Sequence, residues 1–310
     1  MITFPNAKIN LGLNIVERRP DGYHNIETVF YPVPLTDILE IVPVANGEQA
    51  SLTCYGNPVD CPPEKNLVMR AYRLLQERYG LPPVAIHLYK HIPDGAGLGG
   101  GSSDAAHTLV MLNGMFELGL SDAELASMAA TLGADCAFFI YNRPMMATGI
   151  GDVLSPVDVD LKGKTLLLVK PSVGVDTRTA YSRVTPHVPL ADLSNTIALP
   201  VIAWDGLLTN DFEVSVFSAL PQLWLIKAQL IDAGASYAAM SGSGSTIFGI
   251  FDNDKLAGAA ADTFTDCATF VLQLCLGRIG LVFAWFSLVK RFLTQQQYGK
   301  KEQEESKRRS

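Results

Sequence analysis

The chain has 310 residues, 48% of them apolar and 18% charged, and a net charge of −7. This is a globular composition with enough chain for two lobes. The acidic balance, with no basic cluster interleaved with aromatics in the body, argues against a nucleic-acid surface, so an anionic ligand must be held by local amides and a few cations.

Residues 8 to 16 alternate, with Ile9, Leu11, Leu13 and Ile15 on one face and Lys8, Asn10, Gly12 and Asn14 on the other. Period two predicts a half-buried strand, with Lys8 and Asn10 side by side on its polar face. Residues 18 to 24 read as a turn, punctuated by Pro20 and Asp21-Gly22. Strands follow at 27–34, 37–42 and 50–54, a loop at 57–63, and an amphipathic helix at 64–79 that Gly80 and Pro82 stop.

An apolar, strand-like run over 84–92 leads into Pro93-Asp94-Gly95-Ala96-Gly97-Leu98-Gly99-Gly100-Gly101-Ser102-Ser103, and a helical pattern occupies 105–118. Five glycines within 95–101 are not a packing choice, because glycine loses the most backbone entropy on ordering. A glycine-rich turn opening a helix gathers unpaired N–H groups at the positive end of the helix dipole, which suits an anion. The segment reads as a nucleotide phosphate cradle, with a flexible surface turn as the alternative. It contains a literal G-x-G-x-x-G at Gly95, Gly97 and Gly100. A dinucleotide fold would place a second strand with an acidic end about 20 residues further on. Helix and the Gly119 break fill that interval, and no lysine precedes Ser102 to make a Walker A loop.

Residues 121–124 form a capping box that opens a helix to about 132. In Gly133-Ala134-Asp135-Cys136 an acid sits between small residues and an apolar run, a local conflict that marks either a functional group or an N-cap. A strand and bend at 145–151 and a buried strand at 164–170 flank a lobe boundary near 154–164. Residues 173–181 read as a strand end and turn carrying Thr177 and Tyr181, and a helical region opens at 210–213. An amphipathic helix spans 222–233. The stretch 238–249 is a second glycine-serine turn between two strands, and its excess of small residues suits close packing against the first loop or against a ligand. Residues 269–274 close the second lobe's sheet. Beyond them, 279–289 is an uncharged run of 11 residues, against about 20 needed for a span. The end, 290–310, holds seven Lys/Arg and three Glu and reads as an added amphipathic helix or disordered extension. The five cysteines have no C-x-x-C spacing and no signal peptide precedes them, which predicts reduced thiols in a cytoplasmic protein, with membrane attachment unlooked for.

Three segments in this order resemble the GHMP kinase superfamily: Ala7-Lys8-Ile9-Asn10-Leu11, the glycine loop through Ala105-Ala106, and Met240-Ser241-Gly242-Ser243-Gly244-Ser245. Arg19-Pro20-Asp21-Gly22-Tyr23-His24 and Leu132-Gly133-Ala134-Asp135 narrow the match to members acting on a cytidyl substrate. The resemblance covers residues 1 to about 273. It implies an α+β, two-lobed GHMP kinase fold, with a ribosomal S5 domain 2-like N-terminal lobe (1–157) carrying the phosphate loop and a ferredoxin-like C-terminal lobe (158–273). The oily, then basic tail (274–310) has no counterpart.

The resemblance further implies ATP-dependent phosphorylation of the 2-hydroxyl of 4-diphosphocytidyl-2-C-methyl-D-erythritol, with Mg²⁺ as cofactor and a small molecule as the partner. It casts Asp135 as base and Lys8 as its electrostatic partner. Residues 93 to 103 would hold the triphosphate, with Ser102 and Ser103 adding hydroxyls for phosphate or metal, and Asn66 and Lys90 would contact adenine. Tyr23 and His24 would read cytosine, Tyr181 would close the stack, and Asn10 and Thr177 would bind substrate. Homoserine, mevalonate and galactose kinases share the superfamily but lack the R-P-D-G-Y-H element. A regulatory or RNA-binding protein on the same fold is the reading from another class, and retention of Lys8 and Asp135 argues against it. Metal ligands and oligomeric state stay open.

Overall fold

The architecture was taken from a computed structural model that describes residues 1–45, 48–59, 61–189 and 191–274; of the predicted tail, 274–310, only Leu274 is described, buried in the core, and the rest lies outside the described residues. The first half contains β1 (Ile2–Thr3), β2 (Asn6–Arg18), β3 (His24–Thr36), β4 (Ile38–Pro43), β5 (Ser51–Gly56), α1 (Leu67–Tyr79), β6 (Val84–Lys90), α2 (Gly100–Met115), α3 (Asp122–Ala130), α4 (Cys136–Tyr141), β7 (Met145–Thr148) and β8 (Val153–Pro156). The second contains β9 (Thr165–Pro171), α5 (Thr177–Ser182), α6 (Leu193–Ile197), α7 (Phe212–Ala219), α8 (Pro221–Asp232), β10 (Tyr237–Met240), β11 (Ile247–Phe251), α9 (Asp254–Ala261) and β12 (Cys267–Gln273).

These strands form three four-stranded sheets, ordered β1-β4-β6-β5, β2-β3-β7-β8 and β10-β11-β9-β12. Helices α1, α2 and α3 bury Tyr72, Leu75, Leu109, Leu112 and Leu125 against Leu39, Ile41, Ile86 and Leu88 of the first sheet. In the third sheet, Leu167 and Val169 of β9 pack with Leu223 and Leu230 of α8 and Ala257 of α9. The alternate residues Leu166 and Leu168 share a core with Ala7, Ile9 and Leu11 of β2 and Val29 and Val33 of β3. β9 is therefore apolar without alternation from Leu166 to Val169 because it is covered on both faces. Among the described residues no single helix is long and apolar enough to cross a membrane.

β2 departs from its predicted form in an instructive way. It is an edge strand, yet its first ten residues are all buried, where alternation predicted one solvated face. Its free edge is occupied along that buried part, as a buried backbone requires. Lys8 N–H donates to the Leu98 carbonyl (2.9 Å), Asn10 N–H to Ser241 Oγ (3.3 Å), Leu13 N–H to the Thr209 carbonyl (2.8 Å) and Ile15 N–H to Asp211 Oδ2 (2.6 Å). The free donors step from even to odd numbers because Gly12, at φ +70°, inserts a bulge between Leu11 and Leu13. The bulge also divides the predicted apolar face, sending Ile9 and Leu11 into one core and Leu13 and Ile15 into another. One strand thus carries the glycine loop on its first half and the 209–211 segment on its second.

Three other boundaries differ from expectation. The helix predicted over 64–79 is a short 3-10 turn (Pro63–Lys65) followed by α1, because the Asn66 side chain accepts from Val68 N–H (2.9 Å) and caps there. Residues 177–182, read as a turn, are α5, started by the Asp176 carboxylate on Thr179 N–H (2.8 Å). α2 begins at Gly100 instead of 105, inside the glycine run.

Candidate active site

The glycine loop alternates between anchoring and lining. Ala96 and Leu98 are buried in the core shared with β2. Gly95, Gly97 and Gly99, all at positive φ, line a cavity of ≈ 610 Å³. At Gly97 a Cβ would stand 2.0 Å from the Ser241 carbonyl oxygen, so only glycine lets the two glycine turns touch. Ser241 Oγ completes the joint by donating to the Gly97 carbonyl (2.8 Å). The second turn therefore packs on the first loop and also lines the cavity with Gly242, Ser243 and Gly244.

Past Gly99 the chain enters α2, whose first internal bond runs from Ser103 N–H to the Gly99 carbonyl (2.9 Å). The N–H groups of Gly100, Gly101 and Ser102 are left without helical partners, at the positive end of the dipole. The two serines part company here. Ser102 stays half-buried beside Gly133, whereas Ser103 is fully buried with its Oγ 3.4 Å from His107 Nδ1. Pro93 and Asp94 lie at the loop entrance, Asp94 exposed.

Lys8 projects from β2 beneath this loop and is only 3% exposed. Its ammonium donates to Asn10 Oδ1 (2.6 Å) and to the Gly97 carbonyl (3.2 Å), and stands 3.5 Å from Asp135 Oδ2. It also lies 5.1 Å from the centre of the Phe30 ring. Burial pulls the ammonium below the ordinary lysine value, and Asp135 works in the opposite direction. Asp135 precedes α4 but makes no side-chain cap, and its carboxylate, 33% exposed, opens on the cavity. The N-cap reading of Asp135 is thereby replaced by an ion pair. Asn10 Nδ2 donates to Thr28 Oγ1 (2.9 Å), so its amide is fixed by β3 and Lys8 together.

At the other end of the cavity His24, the first residue of β3, stacks on Tyr181 of α5 with ring centres 5.0 Å apart and planes 20° apart. Tyr181 meets Phe212 edge-on at 4.8 Å. Burial, with the charge of Asp135 adding, pushes the Tyr181 phenol up to about 12. Burial and the neighbouring Arg18 lower the His24 imidazole from its ordinary value, which keeps it neutral at pH 7. Tyr23 is 61% exposed at the rim. Thr177 Oγ1 lies 2.9 Å from Ser243 Oγ, tying α5 to the second glycine turn.

Ten of the residues singled out in the sequence thus line one cavity: Lys8, Asn10, Tyr23, His24, Gly95, Gly97, Gly99, Asp135, Thr177 and Tyr181. Asn66 lies apart, in a second cavity of ≈ 220 Å³ with Leu52, Tyr55, Gly56 and Asn57. Leu67, the residue after Asn66, comes near the end of the loop: a Cβ on Gly101 would be 3.9 Å from Leu67 Cδ1. The Lys90 ammonium reaches neither cavity. It is buried and bonded to Asp37 and Asp104, which removes a direct side-chain contact with a base. Sequence reading missed Arg178, which with Lys8 supplies the cationic lining among the described residues. It also missed Asn210, whose Nδ2 donates to the Met240 and Gly242 carbonyls (2.8 Å each) and shapes the second turn. Asn210 carried a signal, a polar residue just ahead of a predicted helix, but its partners lie 30 and 32 residues away.

The sequence matches two family models, described as "GHMP kinases N terminal domain" over residues 66–143 and "GHMP kinases C terminal" over 201–267. It is 57% identical over 256 residues to the 4-diphosphocytidyl-2-C-methyl-D-erythritol kinase of Bacteroides fragilis, covering 82% of this chain and 93% of that protein. The kinase of the same name from Parabacteroides distasonis is 55% identical over 274 residues, covering 88% of this chain and all (100%) of the relative. A crystal structure of 4-(cytidine 5'-diphospho)-2C-methyl-D-erythritol kinase superposes with a TM-score of 0.74 at 33% identity, over 89% of this chain and 100% of the other. A homoserine kinase from Cytophaga hutchinsonii superposes with a TM-score of 0.68 at 17% identity, over 87% and 95%, a likeness of fold alone. The lysine-bearing strand, the glycine loop on a helix N-terminus and the late glycine turn therefore belong to an α+β GHMP kinase fold, and the chain is a small-molecule kinase of the 4-diphosphocytidyl-2-C-methyl-D-erythritol kinase family.

Proposed function

We propose that the cleft transfers the γ-phosphate of ATP to the 2-hydroxyl of 4-diphosphocytidyl-2-C-methyl-D-erythritol, a step of isoprenoid precursor synthesis. The observation that carries the mechanism is the Lys8–Asp135 pair, 3.5 Å apart in a cavity walled by the amide-bearing glycine loop. In the reaction the substrate oxygen attacks the γ-phosphorus, the bond to the β-phosphate oxygen breaks, and ADP leaves. Asp135 takes the hydroxyl proton. A carboxylate is a weak base toward an alcohol, but in a loose transition state the proton leaves late, so weak basicity suffices. The buried Lys8 ammonium offsets charge growing on the transferring group in a site where Coulomb terms are little screened.

The triphosphate lies on residues 93 to 103, held by the amides of Gly100, Gly101 and Ser102 and the Ser102 hydroxyl. The adenine occupies the second cavity beside Asn66, with Lys90 forming part of its support. Among the described residues no cluster of three acidic, histidine or cysteine side chains forms a metal cage. Mg²⁺ would be held on the triphosphate with help from the Ser102 hydroxyl, and it would supply neutralisation of the phosphate charge.

Cytosine stacks on the His24–Tyr181 platform with Tyr23 as the free ring. The two platform rings, 5.0 Å apart, are too close to admit a third between them. A neutral His24 offers one donor and one acceptor to the base edge. Asn10 and Thr177 bind the polyol end, and Arg178, on the helix that joins these two ends, binds the diphosphate between them. The lobes divide near residue 157, and reduced thiols at Cys54, Cys61, Cys136 and Cys267 suit a cytoplasmic enzyme.

The test is a coupled ADP-release assay with the cytidyl substrate against homoserine, mevalonate and galactose. Turnover is expected with the first alone. Asp135→Asn and Lys8→Ala should each lower kcat by on the order of 100-fold or more while folding normally. Near-normal turnover in either purified variant would remove that residue from the mechanism.

A further inference from the structure

Between the two cavities lies a cluster of charges that the reaction does not use. Asp37, Lys90 and Asp104 are 0%, 4% and 1% exposed. The Lys90 ammonium bonds to Asp37 Oδ2 and, at 2.7 Å, to Asp104 Oδ2. Burying charges costs several kcal/mol per ion, and such clusters are often replaceable by apolar groups without loss of stability. What this cluster does have is reach. Asp37 N–H donates to the Pro5 carbonyl (2.8 Å), just ahead of β2 and Lys8. Asp37 Oδ1 accepts from His91 N–H (2.6 Å) and Ile92 N–H (2.8 Å), at the entrance of the glycine loop. Asp104 sits in α2, just past its first turn, at the loop's exit. The ammonium passes so close to the helix start that a Cβ on Gly100 would meet Lys90 Nζ at 3.3 Å.

The main chain of Lys90 extends this reach to the second cavity. Its carbonyl accepts from Asn57 N–H (2.8 Å), and a Cβ on Gly56 would stand 2.3 Å from that oxygen. Gly56 and Asn57 both line the ≈ 220 Å³ cavity. One residue therefore ties the wall of one cavity, through its backbone, to both ends of the phosphate loop, through its side chain.

The geometry points to Lys90, with Asp37 and Asp104, as a positioning brace that fixes the phosphate loop relative to the adenine cavity and so sets affinity for ATP without touching it. This rests on the reading of the two cavities as an ATP site. Two carboxylates around one ammonium leave an excess of negative charge, and the structure relieves it at Asp104. Burial, opposed by Lys90 and reinforced by Asp37, pushes that carboxyl up to about 8, and its Oδ1 is buried without a hydrogen-bond partner among the described residues.

A comparison of Lys90→Met with the double variant Lys90→Met/Asp37→Asn separates positioning from stability. Lys90→Met alone leaves the Asp37 carboxylate buried without its cation and should lower Tm and raise KM for ATP. The double variant removes that charge while an amide oxygen still accepts from His91 and Ile92 N–H, so its Tm should recover toward wild type. A brace predicts that KM for ATP nevertheless stays raised tenfold or more, with kcat at saturating ATP within threefold and KM for the cytidyl substrate unchanged. A double variant with both Tm and KM for ATP at wild-type values would overturn the brace and leave a merely structural cluster. Failure of wild-type protein to bind MgATP in calorimetry would overturn the ATP site itself, and the brace with it.

Discussion

The contact between the two glycine turns gives the sharpest test of how the cleft is built. Gly97 and Gly95 both have positive φ, +76° and +58°. An alanine at either position pays the left-handed penalty of roughly 1–2 kcal/mol. Their surroundings differ completely. A Cβ on Gly95 meets nothing within 4 Å, whereas one on Gly97 falls 2.0 Å from the Ser241 carbonyl oxygen and 3.2 Å from that of Gly244. Backbone cannot swing aside as a side chain does, so the second turn must withdraw by roughly 1 Å or more, an overpacking cost of about 1–3 kcal/mol. Withdrawal also breaks the Ser241 Oγ–Gly97 bond (2.8 Å), which removes about 1 kcal/mol more. Gly97→Ala should therefore destabilise by roughly 3–6 kcal/mol and Gly95→Ala by about 1–2 kcal/mol. Against a total of about 5–15 kcal/mol, the first approaches unfolding and the second does not. Urea denaturation of both variants reads the difference as a midpoint shift at equal slope. Equal midpoints would mean that the turns do not bear on each other and that the cleft is held some other way.

The remaining predictions concern charge and stacking. Arg178→Ala should raise KM for the cytidyl substrate about tenfold or more with KM for ATP unchanged, and the loss should shrink at high salt; a change confined to kcat would assign Arg178 to the transferring phosphate instead. Tyr181→Ala removes the platform under His24 and should weaken cytidyl substrate binding by roughly 1–3 kcal/mol in calorimetry, leaving ATP binding intact. Asp104→Asn should change the pH dependence of stability. The folded-state value of Asp104, about 8, lies above that of an unfolded carboxyl, so its contribution is full below about pH 4 and fades as pH rises toward 8. Wild type should lose Tm relative to Asp104→Asn across that window, and parallel Tm profiles from pH 5 to 9 would show that Asp104 is not held protonated.

Much of the site could be read along the sequence because its parts are local conflicts or local excesses. Lysine beside asparagine on an alternating strand, five glycines before a helix and an acid between small residues each violate what packing alone would choose. What could not be read depends on chain crossings. The alternation of 8–16 runs unbroken through Gly12, because the glycine falls on the polar parity; only the partner strand shows that it is a bulge. α5 reads as a turn in the sequence because six residues give too little periodicity to register, and Arg178 carries no signal without it.

Lys90 is the most telling case, because both an expectation and its correction were within reach. A lysine ending an apolar strand beside a phosphate loop invites a direct role toward the nucleotide. The structure commits its ammonium to carboxylates 53 residues earlier and 14 residues later. The later one, Asp104, stands among Ser103, Ala105 and Ala106 in a helix that is otherwise uncharged, the same kind of conflict that marked Asp135. The two acids answer it differently. Asp135 lies one-third exposed at the cavity and pairs with a lysine that lines the same cavity. Asp104 is fully enclosed and bonds to a lysine that faces no cavity, so the pair can act only through the backbone around it. An acid in small-residue surroundings therefore announces a buried cation, and exposure of the pair, which only the fold supplies, decides whether that cation does chemistry or holds the loop that does.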